Sequence, residues 1–229
     1  MKSLIGRKMG MTQVFAADGT MYPVTVIEVL PNVIVDKRTI EKNGYEAVQV
    51  GYEDKPEKRV SKPLKGIYKK AGVATKEHLY ELKGDEIYGK NIGESIDASI
   101  FSAGEVCDII GHNKGHGYSG TIKKYHHHIG PKGHGSGYHR QIGSLANNGR
   151  DNNRVIPGKR MSGHWGPEQC TVQNVTIIES NPEKGYILVK GGVPGPKKAI
   201  VMLRTPVKVQ FRKPVVKPIA IINEEKKGE

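Results

Sequence analysis

Apolar residues in this chain fall into short Val/Ile-rich runs separated by turn signals, the pattern of a mostly-β protein. After an apolar-basic start, LIGRKMGMTQVF (4–15), Asp18-Gly19 marks a turn, and MYPVTVIEVL (21–30) reads as a strand. Pro31-Asn32 interrupts it, and VIVDKRT (33–39) resumes extended character. Asn43-Gly44 is a hairpin-type signal before a further strand, YEAVQVGY (45–52). Charged residues then dominate from Glu53 to Lys62. Pro63 suits the first turn of a helix over LKGIYKKA, and Gly72 suits its C-terminal cap. EHLYELK (77–83) fits a strand or a short helix, and NIGESIDASIF (91–101) a loop with a piece of strand.

EVCDIIG (105–111) is a strand that runs into a different kind of sequence, and TVQNVTIIES (171–180) is the strand on which the chain returns. GYILVKGG (185–192), AIVMLRT (199–205) and VKVQFRK (207–213) continue as closely spaced strands between Gly/Pro turns, which points to a barrel or a sandwich. The predicted organisation is a discontinuous β body (1–110 plus 167–220) with a small α/β subdomain at about 53–100. A Gly/His-rich basic extension (111–166) is inserted into it, and a solvated tail (221–229) ends the chain.

Residues 111–166 lack long Val/Ile/Leu runs, and glycine recurs every few positions. Ordering this backbone is costly, and little apolar area is available to repay it. A loop this long inside a compact chain is usually functional or disordered. It carries nine cations, Lys114, Lys123, Lys124, Lys132, Arg140, Arg150, Arg154, Lys159 and Arg160, and one acid, Asp151. Eight of the nine histidines lie here.

The formal net charge of +13 favours a polyanionic partner, nucleic acid above all. No basic amphipathic helix suggests a membrane surface, and no apolar run approaches the roughly 20 residues that span a bilayer. The N-terminus has neither a signal-peptide apolar core nor an Arg/Ser-rich transit segment. Cys107 and Cys170 suit a reducing cytosol; they flank the basic segment, so a disulfide clamp at its base is the minority reading.

Tyr118, Tyr125, Tyr138 and Trp165 are interleaved with the cations. The mixture fits a segment threaded through RNA: Lys and Arg neutralise phosphates, while aromatic planes stack on unpaired bases. The plainer alternative is a disordered basic loop. The run His126-His127-His128, with His112, His116, His134 and His139, raises metal binding, but structural zinc sites want four fixed ligands at regular spacing, and consecutive histidines splay apart. Neither a GxxxxGK[ST] phosphate loop nor a GxSxG elbow is present, and GHNKGHG opens no helix. No metal, cofactor, small-molecule substrate or catalytic residue is therefore expected.

Nearly the whole chain resembles the universal large-subunit ribosomal protein three family in its bacterial form. The resemblance is carried by GRKMGMTQVF (6–15), PVTVIEV (23–29), GYEAVQVGY (44–52), KPLKGIYKKAGV (62–73), CDIIGHNKGHGYSGTIKKY (107–125), GKRMSGHWG (158–166), TVQNVTII (171–178) and YILVKGGVPGPKK (186–198), in that order. It implies a closed β-barrel of the translation-protein type and a long irregular extension that enters large-subunit rRNA towards the peptidyl transferase centre. It also implies a cytoplasmic ribosomal protein without catalytic residues, which binds rRNA near its 3′ domain early in assembly, beside other large-subunit proteins. On this resemblance the rRNA-binding residues are Lys114, Lys123, Lys124, Tyr125, Lys132, His134, Tyr138, Arg140, Arg150, Arg154, Lys159, Arg160, His164 and Trp165. The tip nearest the peptidyl transferase centre is Asn147, Asn148, Gly149, Arg150, Asp151 and Asn152. The chain departs from the family at His116 (usually Lys), Tyr118 (usually Phe) and Trp165 (usually Met), and its tip over 145–155 is longer. Some relatives methylate a glutamine at the tip. Here no Gln lies between Gln141 and Gln169, so that modification does not carry over.

Overall fold

The computed structural model describes residues 1–145 and 154–208. Its strands are β1 (Ser3–Phe15), β2 (Met21–Glu28), β3 (Asn32–Arg38), β4 (Ala47–Asp54), β5 (Lys76–Leu82) and β6 (Ser95–Ile96), followed by β7 (Val106–His112), β8 (Tyr118–Ser119), β9 (Gly163–His164), β10 (Gln169–Asn181), β11 (Tyr186–Lys190) and β12 (Ile200–Arg204). The helices are short: α1 (Ile40–Asn43), α2 (Lys62–Ala71), α3 (Asp85–Tyr88) and α4 (Thr121–Tyr125). The chain divides into one unit of Met1–His112 with the segment from Gln169 onward, and a second of Asn113–Glu168.

Six antiparallel strands of the first unit close a barrel in the order β1-β12-β7-β10-β11-β2. The Val/Ile runs line it, with Leu4, Ile5, Ile27, Ile109, Ile177, Ile187, Val189 and Leu203 all buried. β1 is the strand that the hydrophobic pattern least announces. Its polar GRKMGMTQ run shifts register against β2 between Lys8 and Gly10, which breaks the alternation expected of a regular strand. Gly6 is required within it, because a Cβ there would lie 2.8 Å from the Glu28 carbonyl oxygen.

A second antiparallel sheet, β5-β4-β3-β6, shares the core: Ile34, Val48, Val50, Leu82 and Ile96 belong to one buried cluster with the barrel residues. The sequence reading begins the α/β region near residue 53, whereas this sheet takes in β3 and β4 and so starts at Asn32. The sequence signals around it have direct counterparts. EHLYELK is extended as β5. Gly44, at φ +79°, ends the single turn of α1 that joins β3 to β4, so the link is longer than a two-residue hairpin turn. Gly72, at φ +66°, caps α2 by donating its N–H to the carbonyls of Lys69 and Tyr68.

β7 and β10, the two strands that flank the basic segment, are neighbours in the barrel, with Gln169 opposite His112. Both cysteines lie on this pair and are free. Cys107 faces Val175 and Cys170 faces Gly111, four positions apart along the ladder, so the disulfide clamp does not form. β10 shifts register between Val172 and Val175, where Asn174 takes a left-handed φ of +58°. The fully buried Asp108 side chain holds this irregularity. Its Oδ1 accepts the Asn174 N–H at 3.0 Å, its Oδ2 accepts the Val207 N–H at 3.2 Å, and the Arg204 guanidinium lies 3.9 Å away.

Candidate nucleic-acid interface

Among the described residues, the unit Asn113–Glu168 contributes none to any of the three hydrophobic clusters, so something other than apolar burial orders them. That something is a narrow antiparallel ribbon. Asn113 donates its N–H to the Glu168 carbonyl at 3.0 Å, His116 to Trp165 at 2.8 Å, and Trp165 to Gly117 at 3.0 Å. The ribbon continues as the β8–β9 pair, with Tyr118 opposite His164 and Ser119 opposite Gly163. Gly166, at φ +131°, makes it possible, since a Cβ there would lie 2.6 Å from the Lys114 carbonyl oxygen and 2.7 Å from the His116 nitrogen. Only glycine permits backbones to approach this closely.

Aromatic contacts line the same ribbon. His116 stacks on Trp165 with centroids 4.0 Å apart and planes 19° apart, and Tyr118 meets His164 edge-on at 5.7 Å. α4 follows, and its C-terminal residues assemble a cationic cluster. Tyr125 lies under both Lys124, whose Nζ is 5.3 Å from the ring centroid, and Arg160, at 5.5 Å. Lys124 also donates to the His164 carbonyl at 3.0 Å. The extension is thus less irregular at this end than its glycine content suggests.

Farther along, the Gly130 N–H bonds the His139 carbonyl at 2.9 Å, and His139 Nδ1 lies 2.9 Å from the Pro131 carbonyl oxygen. Between them His134 and Gly135 both take positive φ, which makes residues 130–139 a compact turn. Lys132, His139 and Arg140 line an open cleft of about 420 Å³ with Ile129.

The predicted site residues therefore fall into separate places. Lys124, Tyr125, Arg160, His164 and Trp165 come together around the ribbon and α4. Lys132, His134, Tyr138 and Arg140 belong to the 130–140 turn. Lys114, Lys123, Arg154 and Lys159 are exposed. Among the described residues, none of the unit's cations makes an ion pair. Arg150 and the tip residues Asn147, Asn148, Gly149, Asp151 and Asn152 lie outside the described residues. In the sequence Gly166 is one glycine among many. Its signal was present in GHWG, but the need for it emerges only once two segments roughly 50 residues apart are seen to touch.

Among the described residues, the grouping with ligand atoms close enough to share a metal ion is Glu53, Glu77 and His78, on β4 and β5 and far in sequence from the histidine-rich segment. Glu53 is already engaged by the Arg7 guanidinium.

A sequence model of the family described as ribosomal protein L3 matches residues 89–185. The chain is also 44% identical over 211 residues to the large ribosomal subunit protein uL3 of Geobacillus sp. (strain WCH70), an alignment covering 92% of this chain and 99% of that relative. This chain belongs to the ribosomal protein L3 family of non-enzymatic, structural ribosomal proteins.

Proposed function

We propose that this chain, as a structural protein of the large ribosomal subunit, binds large-subunit rRNA directly through residues 113–168 and helps to brace the RNA around the peptidyl transferase centre. The observation that carries this reading is the electrostatic state of that unit. Its described cations make no ion pair and the segment carries almost no acids, which leaves their charge available to a polyanionic partner. Phosphates supply that charge, and release of condensed counterions supplies much of the binding free energy.

Roles divide by chemistry. Lys114, Lys123, Lys132, Arg140, Arg154 and Lys159 neutralise phosphates, which fixes position without reading sequence. Tyr118, exposed by 69%, and Tyr138 offer ring faces for unpaired bases. The Tyr125 ring, whose centroid lies within 5.5 Å of both the Lys124 and Arg160 cations, holds the two in a defined arrangement, so less side-chain entropy is lost on binding. The family resemblance assigns residues 147–152, with Arg150, to the end nearest the peptidyl transferase centre. It also supports contact with the rRNA 3′ domain, entry early in assembly and contact with neighbouring large-subunit proteins. The chain supplies no catalytic group; peptide transfer is left to the RNA.

Sucrose-gradient sedimentation of cell extracts tests this. The protein should travel with large subunits in moderate salt and dissociate only when salt is high. Release at low salt, or sedimentation as a free protein, would refute the reading.

A further inference from the structure

The barrel unit carries a second concentration of unpaired positive charge. Between Glu53 and Lys76 stand eight cations, Lys55, Lys58, Arg59, Lys62, Lys65, Lys69, Lys70 and Lys76, against three acids, Glu53, Asp54 and Glu57. Two of the acids are occupied: Glu53 by Arg7, and Asp54 by Lys76 at 2.7 Å. Among the described residues the other seven cations have no side-chain partner, which leaves Glu57 as the one free carboxylate of the segment. Glu57 shares a cleft of about 160 Å³ with Lys65 and Lys69 but pairs with neither.

α2 organises these charges. Tyr68 is buried with Val35 and Val60, Ala71 and Leu79 pack against that cluster, and the Tyr68 hydroxyl donates to the Lys76 carbonyl at 3.0 Å. One side of the helix is thereby fixed to the β5-β4-β3-β6 sheet. At 100° per residue, Lys62, Lys65 and Lys69 then form a stripe on another side, spanning about 10 Å of helix axis. Lys62 and Lys69 are exposed and Lys65 is half-buried.

Helix energetics do not account for the stripe. The helix dipole favours Lys69 and Lys70 in the last turn, but it opposes Lys62 and Lys65 near the start, where no acidic residue stands. Like charges three and four residues apart repel as well. The arrangement works against the helix unless a polyanion covers it.

We propose that α2 is a second rRNA-binding surface, separate in sequence from the 113–168 unit, on which Lys62, Lys65 and Lys69 grip successive phosphates of one strand of a duplex segment. A stripe of about 10 Å is long enough for each of the three lysines to meet a different phosphate of one strand. Lys58, Arg59 and Lys70 widen the positive field around it. The proposal rests on the rRNA-binding reading above and extends it to the barrel unit.

The test uses the full chain with Lys62→Gln, Lys65→Gln and Lys69→Gln combined, after thermal unfolding shows the fold intact. Binding to deproteinised large-subunit rRNA is measured across a salt series. In parallel, lysine acetylation by a water-soluble reagent is compared between intact large subunits and the free wild-type protein. The salt slope should fall by about two to three, as expected for three lost phosphate contacts, and the three lysines should be shielded in the subunit. Lysines that stay reactive there while Lys123 and Lys124 are shielded would overturn this proposal and leave the extension reading standing. Shielding with an unchanged salt slope would mean that a neighbouring protein covers α2, and would also overturn it. If Lys123 and Lys124 are unshielded as well, the rRNA-binding reading itself fails.

Discussion

Replacing Gly166 by alanine is the sharpest perturbation of the ribbon. At φ +131° an L side chain is strained, at a cost of about 1–3 kcal/mol. The new Cβ would also press on backbone, with the Lys114 carbonyl oxygen at 2.6 Å and the His116 nitrogen at 2.7 Å, and neither can rotate away. The ribbon must open locally. Opening gives up two backbone hydrogen bonds, His116 to Trp165 and Trp165 to Gly117, and the His116–Trp165 stack. At about 1 kcal/mol per bond and about 0.5–1.5 kcal/mol for the aromatic pair, these contacts total roughly 3 kcal/mol. The free energy that protects them should therefore fall by about 2–3 kcal/mol in the variant, and the His116 and Trp165 amides should exchange with solvent roughly 30- to 150-fold faster. The barrel should be untouched, because none of the described residues of 113–168 belongs to its core. Gly120→Ala is the control: Gly120 has φ −69°, and a Cβ there meets nothing within 4 Å. Unchanged exchange in Gly166→Ala would refute the close approach, and a large fall in Tm would refute the independence of ribbon and barrel.

Asp108→Ala strands the part-buried N–H of Asn174 and should cost about 1–3 kcal/mol, lowering Tm by roughly 3–10 °C in a thermal melt. Val175→Asp puts an unpaired charge among buried apolar residues and should abolish incorporation into large subunits, read by quantitative mass spectrometry of purified subunits. Burial pushes the Cys107 thiol up to about 12, so a thiol reagent should label Cys170 first and Cys107 only on unfolding. Because the folded protein holds that proton more tightly than the unfolded chain, the thiol's contribution to stability is fully present below pH 8–9, roughly the unfolded value, and is lost as pH rises towards 12. Denaturant titrations across that range should show the decline, and alanine at position 107 should remove its share. Replacing Lys123, Lys124, Lys159 and Arg160 together by alanine should flatten the salt dependence of rRNA binding by about three to four in slope.

What could be read from the sequence, and what could not, follows from the range of the interactions. The Val/Ile runs of β2, β7, β10 and β11 declare themselves because each strand buries its own apolar residues. The ends of α2 were visible because caps are local chemistry, Pro63 at one end and Gly72 at the other. β1 was harder, since its register shift at Lys8 and Gly10 hides the period of two. The ribbon between 113–119 and 163–168 gave no periodic signal at all. It is built from backbone hydrogen bonds and one close glycine contact between distant segments, and composition does not record which glycine meets which backbone. The same limit applied to α2, where a run of lysines read simply as charge until Tyr68 fixed which side of the helix faces the sheet.

Ultraviolet cross-linking within purified large subunits, with the attached peptides sequenced, tests the central claim most directly. The account predicts rRNA cross-links concentrated in peptides from 113–168, with Tyr118, Tyr125 and Tyr138 among the attachment points. Cross-links to the barrel strands alone, with 113–168 recovered free of RNA, would contradict it.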